Sequence, residues 1–345
     1  MYLTKKEIFE QYDALQKTYN HILSMEPDIR EFYEQSNFKS ITYIGCGSSY
    51  CLCQSAEISA NIRLGLKAYS IPAGDLMLNY KSYKSILKDT MLVVPSRSGS
   101  TSEVLKAVEL VKSESEAPCI SICAKTDSEL SKIADLNIEI PWAFDESVCQ
   151  TRTVTNLYLA NLMLNAIYSG DKALLDEMKT AIQKGNSFIE DYRDLLKEVA
   201  EKEEWSKVVV LADSELQGIA SEAALAFTEI SLLQSSCHHL LDVRHGPIVL
   251  INDSTLVIAV STPYDTQYQT ELVKDLKKKG AKVVLVSSND INWGADYTLL
   301  IPGYENYAVH GIPFIFVCQA IAYYKAVAEG INPDIPQGLD PWIKL

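Results

Sequence analysis

The chain has 345 residues, with 31 Lys and Arg against 45 Asp and Glu and a formal net charge of −14. Forty-seven per cent of it is hydrophobic and 22% is charged, enough apolar content for one large or two ordinary domains. This acidic balance argues against broad binding to nucleic acid or an anionic membrane, but not against a local site for a small anion.

Residues 1–10 are charged and polar, unlike a secretory leader. The longest apolar runs read as strand-length, short of the roughly 18 residues that span a bilayer. The expectation is a cytoplasmic protein with no membrane partner. The eight cysteines (Cys46, Cys51, Cys53, Cys119, Cys123, Cys149, Cys237 and Cys318) sit mostly in or beside apolar runs. Free thiols in a reducing compartment account for them. Cys51 and Cys53 are one residue too close for a Cys-x-x-Cys element.

Residues 1–37 read as helical. Ile8, Tyr12, Leu15, Tyr19 and Ile22 recur at three- and four-residue spacing, and Pro27 interrupts before a second short helix. A strand at 41–44 ends in Gly45-Cys46-Gly47-Ser48-Ser49. A helix over 50–64 follows. The third glycine of a dinucleotide fingerprint falls at Tyr50, so two serines suit a smaller polar ligand. Residues 68–71 read as a strand, and 87–88 lead toward the strand at 91–95.

That strand opens into Ser96-Arg97-Ser98-Gly99-Ser100-Thr101-Ser102, followed by a helix to about residue 112. A strand, a hydroxyl-rich turn and a helix start make an anion cradle, because the first helical N–H groups have no internal partner. The same residues also suit an ordinary N-cap. No Gly-x-x-x-x-Gly-Lys-Ser/Thr motif is present. Strands follow at 119–123 and 136–140, with a short helix at 130–134 between them. A strongly apolar helix ends at Gly170, and a more charged one covers 172–202. Together these two read as an interdomain connection partly built into a core.

The pattern then repeats. Strands at 207–211, 254–260, 282–287 and 297–301 alternate with helices at 218–233 and 271–279, and an apolar helix at 314–329 closes the series. Strand starts recur at offsets of 161 to 167 residues, which reads as an internal duplication of one βαβ unit. The fold class expected is α/β, with parallel sheets flanked by helices. The second-half turns, Asp213-Ser214-Glu215 and Ser261-Thr262-Pro263, keep few hydroxyls and add acids. The anion site therefore belongs to the first half.

Two groups invite chemistry. Glu222 and Glu229 lie seven apart on one predicted helix among apolar neighbours, so a raised pKa and proton transfer are open to them, as is a plain salt bridge. His245 follows Arg244 in Val243-Arg244-His245-Gly246-Pro247, a stiff turn suited to acid–base work or to capping. Asp242 and Arg244 can also pair with each other. His238 and His239 have no metal-ligand spacing.

Five segments carry a resemblance: Gly45-Cys46-Gly47-Ser48-Ser49-Tyr50, Ser96-Arg97-Ser98-Gly99-Ser100-Thr101, Glu146-Ser147-Val148-Cys149-Gln150-Thr151-Arg152, Glu229-Ile230-Ser231 and Arg244-His245-Gly246-Pro247. In this order they resemble the sugar-isomerase (SIS) domain proteins. More narrowly, they resemble the double-SIS group of the amidotransferase isomerase domain, fructosamine-6-phosphate deglycases and tagatose-6-phosphate isomerases. The resemblance implies two tandem SIS domains, each a mainly parallel, flavodoxin-like three-layer α/β/α unit. It divides the chain into an N-terminal helical segment (1–37), a first domain (38–170), a helical connection (171–203), a second domain (204–330) and a tail (331–345).

It implies that Ser96, Ser98 and Thr101 hold a sugar phosphate, with Ser48 and Ser49 on sugar and phosphate and Arg244 as a further contact; Arg97 and Ser100 depart from the family's loop, and Arg97 is read as an extra phosphate contact of this chain. It makes Glu229 the base between C1 and C2. It makes His245 the ring-opening histidine, lent across a homodimer. The implied function is aldose/ketose isomerisation of a sugar or amino-sugar 6-phosphate through a cis-enediol, without metal or organic cofactor. Deglycation of a fructosamine 6-phosphate and non-catalytic phosphosugar sensing are the alternatives. The amidotransferase's glutaminase domain is expected to be absent. Ala226 stands where that enzyme has a lysine, and Asp340 stands at its tail lysine, with Lys344 out of register.

Overall fold

A computed structural model describes residues 2–339. Asp340 and Lys344, the tail positions singled out above, lie outside the described residues. The chain divides into two compact units. The first gathers residues 10–146 and 150–179; the second gathers the N-terminal turns up to Phe9, residues 147–149 and residues 180–339.

The first unit is built on five strands: β1 (Ser40–Gly45), β2 (Lys67–Pro72), β3 (Thr90–Ser96), β4 (Cys119–Cys123) and β5 (Leu136–Glu139). Their order is β2-β1-β3-β4-β5 and every pairing is parallel. Register runs Ser40 to Lys67 on one side of β1 and Ser40 to Thr90 on the other. β1, β3 and β4 are buried along their whole length, as parallel strands covered on both faces must be. The β1/β3 step is where the winding direction reverses, and ligands of such sheets bind beyond the strand ends at that point.

Helices cover both faces. On one, α4 (Ser48–Arg63) packs on α8 (Arg152–Ser169) and α8 on α2 (Gln11–Ser24). On the other, α5 (Ala73–Tyr83) and α6 (Ser102–Glu114) close over Ile44, Ile71, Leu92, Val94, Val104 and Val108. α3 (Glu26–Gln35) begins with Pro27 in its first turn, and α7 (Glu129–Ile133) is capped by Ser128. α8 is buried from Thr153 to Ile167 and stops at Gly170 in the left-handed conformation. It is therefore the core helix of the first unit and not part of a connection. Its amides are used inside the core: Asn165 Oδ1 accepts the Tyr43 hydroxyl at 2.6 Å and its Nδ2 donates to Ala56 O.

Several elements differ from the sequence reading. The N-terminal helix is broken at Glu10, between α1 (Leu3–Phe9) and α2. α5 has no counterpart in the reading, because only Ala73 and Leu76 are buried and Asn79 kinks it, so no apolar stripe forms. α4 starts at Ser48 rather than Tyr50, which places both serines in its first turn.

The second unit repeats the first. Its strands are β6 (Lys207–Leu211), β7 (Gln234–His238), β8 (Thr255–Val260), β9 (Lys282–Ser287) and β10 (Tyr297–Leu300). The order β10-β9-β8-β6-β7 is the first sheet's order read backwards, again all parallel. β7 is polar and half-exposed at an edge, so it carries no hydrophobic alternation in sequence. α11 (Thr266–Lys278) starts five residues before the expected position.

α10 (Gln217–Ser231) packs on α12 (Gly311–Ala328), and α9 (Lys172–Lys202) runs from the first unit into the second. Residues 307–328 reach a mean hydropathy of 1.4 over an 18-residue window, long and apolar enough to cross a membrane. The expectation that no apolar run exceeds strand length is therefore wrong. In the fold, 89% of that window is buried, so α12 serves as the core of its own unit.

Candidate phosphate crevice and proton-transfer residues

The first unit brings two glycine-bearing turns together at the carboxyl ends of neighbouring strands. After β1, Gly45 packs so closely that a Cβ there would stand 2.8 Å from the Ser49 carbonyl carbon and the Tyr50 nitrogen. Only glycine lets the first turn of α4 fold back over the strand end. Gly47 caps that helix at φ +53°. Ser48 and Ser49 are therefore the first two helical residues, both about 5% exposed.

After β3, Ser96, Arg97 and Ser98 are buried, Ser100 is exposed and Thr101 is half-buried at the N-cap of α6. The loop is tied internally. Ser96 Oγ accepts the Gly99 N–H at 3.0 Å and Ser98 Oγ accepts the Ser100 N–H at 3.2 Å. A hydroxyl that accepts from the backbone keeps its own proton to give. Thr101 does not spend its hydroxyl on capping α6. Two helix N-termini and these hydroxyls on one crest suit an anion of phosphate size.

Cys46 lies in the same crest. Burial and the nearby Glu103 carboxylate push its thiol up to about 11, so it stays protonated at neutral pH. Cys46, Cys53, Cys119, Cys123, Cys237 and Cys318 carry free thiols.

The segment before α8 is organised by Asp145, which is buried and accepts the N–H groups of Thr151 at 2.7 Å and Thr153 at 2.9 Å. Arg152 Nε stands 3.8 Å from it. Sequence reasoning noted the neighbours of Asp145 but not Asp145 itself. It also missed Ser128, whose Oγ caps α7 and abuts Gly99. A Ser at a helix start is readable as a cap, but its contact with a glycine 29 residues earlier is not.

The remaining site residues are in the second unit. Glu229 is half-buried in the last turn of α10, whereas Glu222 is 1% exposed. His245 ends a short 3-10 turn over Asp242–Arg244 and is exposed, with its N–H on Asp242 O at 2.8 Å. Arg244 pairs with Asp275 at 2.9 Å, not with Asp242. His239 Nδ1 meets Asp213 Oδ1 at 2.8 Å, while His238 turns to Ser236. Among the described residues, no three His, Cys, Asp or Glu side chains cluster as a metal site needs.

A family model described as the SIS domain matches residues 35–166 and 203–327. The chain is 26% identical over 97% of its length to the glutamine–fructose-6-phosphate aminotransferase [isomerizing] of Wigglesworthia glossinidia brevipalpis, covering 57% of that protein. It is 30% identical over 72% of its length to a D-galactosamine-6-phosphate deaminase of a Shewanella species, covering 64%. The chain thus spans little more than half the length of most of these curated relatives. A solved structure of glucosamine-6-phosphate deaminase from Thermotoga maritima is similar at 25% identity and TM-score 0.82, over 99% of this chain and 100% of that one. Tagatose-6-phosphate ketose/aldose isomerase from Escherichia coli shares the fold at 21% identity and TM-score 0.86, over 99% and 97% of the two chains.

Proposed function

The chain belongs to the SIS-domain family, with two tandem copies of the domain, and from that premise we propose that it acts on an amino-sugar 6-phosphate by aldose–ketose proton transfer. The carrying observation is the crest of the first unit, where buried Ser48, Ser49, Ser96 and Ser98 meet two helix N-termini at the β1/β3 switch. Hydroxyls and backbone amides bind a phosphate without requiring a basic surface, which reconciles an anionic substrate with a net charge of −14. The deaminase names of two relatives support an amine on the sugar.

Phosphate binding holds the sugar and limits the freedom of C1 and C2. His245 moves a proton between the ring oxygen and the anomeric hydroxyl, which opens the ring. Glu229 then removes the C2 proton of the open-chain aldehyde, and an enolamine forms. Return of a proton to C1 gives the C2 imine. Water adds to it, and ammonia leaves with the ketose 6-phosphate. Without the amine, the same proton transfer through a cis-enediol is plain isomerisation. The active unit proposed is a homodimer, for which the exposed position of His245 in its own chain is suitable.

The test is NMR in deuterated water with fructose, tagatose, glucosamine and galactosamine 6-phosphates and a fructosamine 6-phosphate, alongside an ammonium assay. Deuterium at C1 with ammonium release from an amino sugar is expected. Interconversion confined to unaminated sugars would make the protein an isomerase. Amine release from the fructosamine alone would make it a deglycase. Binding without exchange for every substrate would leave only a phosphosugar sensor and overturn the proposal.

A further inference from the structure

The first unit has a second concavity, of about 440 Å³, lined by His21, Met25, Thr126, Asn137, Glu139 and Trp142 among others. Thr126 follows β4 and Trp142 follows β5, so the cavity shares the crest with the β1/β3 crevice but lies at the β5 edge of the sheet, away from that interior step. The C-terminal turn of α2 supplies His21 and its C-cap Met25.

The aromatic wall is fixed in place. Trp142 Nε1 donates to Thr18 Oγ1 at 2.8 Å, Thr18 donates to Asn156 Oδ1 at 2.6 Å, and Asn156 Nδ2 donates to Arg152 O at 2.8 Å. The His21 and Trp142 rings meet edge to face, with centroids 5.3 Å apart at 83°. Burial lowers the His21 pKa, against a smaller opposing pull from Glu139, so the imidazole is neutral at neutral pH. Asn137 is engaged, with Nδ2 on Ser131 O at 2.9 Å and Oδ1 accepting from Ser121. Glu139 Oε1 accepts the Asp127 N–H at 3.0 Å, and a carboxylate has capacity for further donors. The lining thus carries one formal charge, which is negative, beside a rigid indole. That combination repels phosphate and attracts a cation with an apolar face.

We propose that this cavity binds a small primary amine with a compact carbon skeleton, its ammonium on the Glu139 carboxylate and its skeleton against Trp142. The site is separate from the phosphate crevice and does not depend on the reaction proposed there.

The probe is cyclohexylamine, with cyclohexanol as the same ring lacking the charge. Both are titrated at pH 7.5 into the full chain, followed by tryptophan fluorescence and by the indole N–H signals in NMR. Cyclohexylamine should give a saturable change that disappears in Trp142→Phe, and cyclohexanol should bind at least roughly tenfold more weakly. Glu139→Gln keeps an acceptor for Asp127 and should remove most of the preference for the amine. Glu229→Gln should leave amine binding unchanged. Equal binding of alcohol and amine, a signal retained in Trp142→Phe, or loss of binding in Glu229→Gln would each overturn the assignment.

Discussion

Gly99 and Ser128 touch across the crest of the first sheet: a Cβ on Gly99 would stand 2.3 Å from Ser128 Oγ. Gly99 also has φ +59°, and its carbonyl accepts the Leu130 N–H at 2.8 Å. The serine loop is therefore docked on the start of α7 and is not a free turn. Gly99→Ala would add a left-handed penalty of about 1 kcal/mol and an overpacking cost of about 1–3 kcal/mol. Urea unfolding should show that loss, and phosphosugar affinity should fall with it. Ser128→Gly in the Gly99→Ala background should recover part of the stability. An alanine variant with native stability and affinity would mean that this contact does not set the loop.

Ser98 and Thr101 carry the next prediction. Ser98 Oγ accepts from Ser100 and keeps its proton for a ligand, while Thr101 sits at the N-cap without capping. Hydrogen bonds to a charged group contribute about 1.5–3 kcal/mol each. Ser98→Ala with Thr101→Ala should weaken a sugar phosphate by roughly a hundredfold or more in calorimetry. Binding of the unphosphorylated sugar should change little. Equal losses for both ligands would remove this loop as the phosphate holder.

Much of this architecture is legible in the chain. Buried parallel strands such as Cys119–Cys123 and the 283–287 stretch of β9 announce themselves as predominantly apolar runs. Gly170 marks the end of α8 because it takes the left-handed conformation there. What escapes is set by tertiary context. β7, Gln234–His238, is a strand because it pairs with β6 at the sheet edge, and nothing in Gln-Ser-Ser-Cys-His requires it. α5 fully buries only Ala73 and Leu76, so no stripe betrays it. The hydroxyls of the crevice are readable as a composition, but the Gly99–Ser128 contact and the clasp of Asp145 on Thr151 and Thr153 are not. Both join residues on different elements or across a turn whose shape the sequence does not announce.

Acid should destabilise the protein through His21. Burial lowers its pKa in the folded chain, whereas in the unfolded chain it returns to about 6.5. The folded state therefore binds fewer protons. The stabilising contribution is complete above about 6.5 and is lost as pH falls toward the lower folded value. His238 is lowered in the same direction, again by burial first. Urea midpoints taken from pH 8 to 5 should decline below about 6.5, and His21→Gln should flatten part of that decline. An unchanged slope in the variant would show that burying neutral His21 does not govern acid stability.

Glu229 is the proposed base, and its neighbour on the helix supplies the control. Glu222 lies seven residues earlier on α10, so the two share a face, yet Glu222 is 1% exposed whereas Glu229 is half-buried. A base must reach the carbon acid, which favours the more accessible carboxylate. Glu229→Gln preserves shape and removes the proton acceptor. Deuterium exchange at the substrate carbon should fall by about 10²–10⁴-fold, with sugar-phosphate affinity nearly intact. Glu222→Gln should retain exchange, and its main effect should appear in thermal stability. If Glu222→Gln abolishes exchange while Glu229→Gln does not, the proton-transfer role belongs to the buried carboxylate.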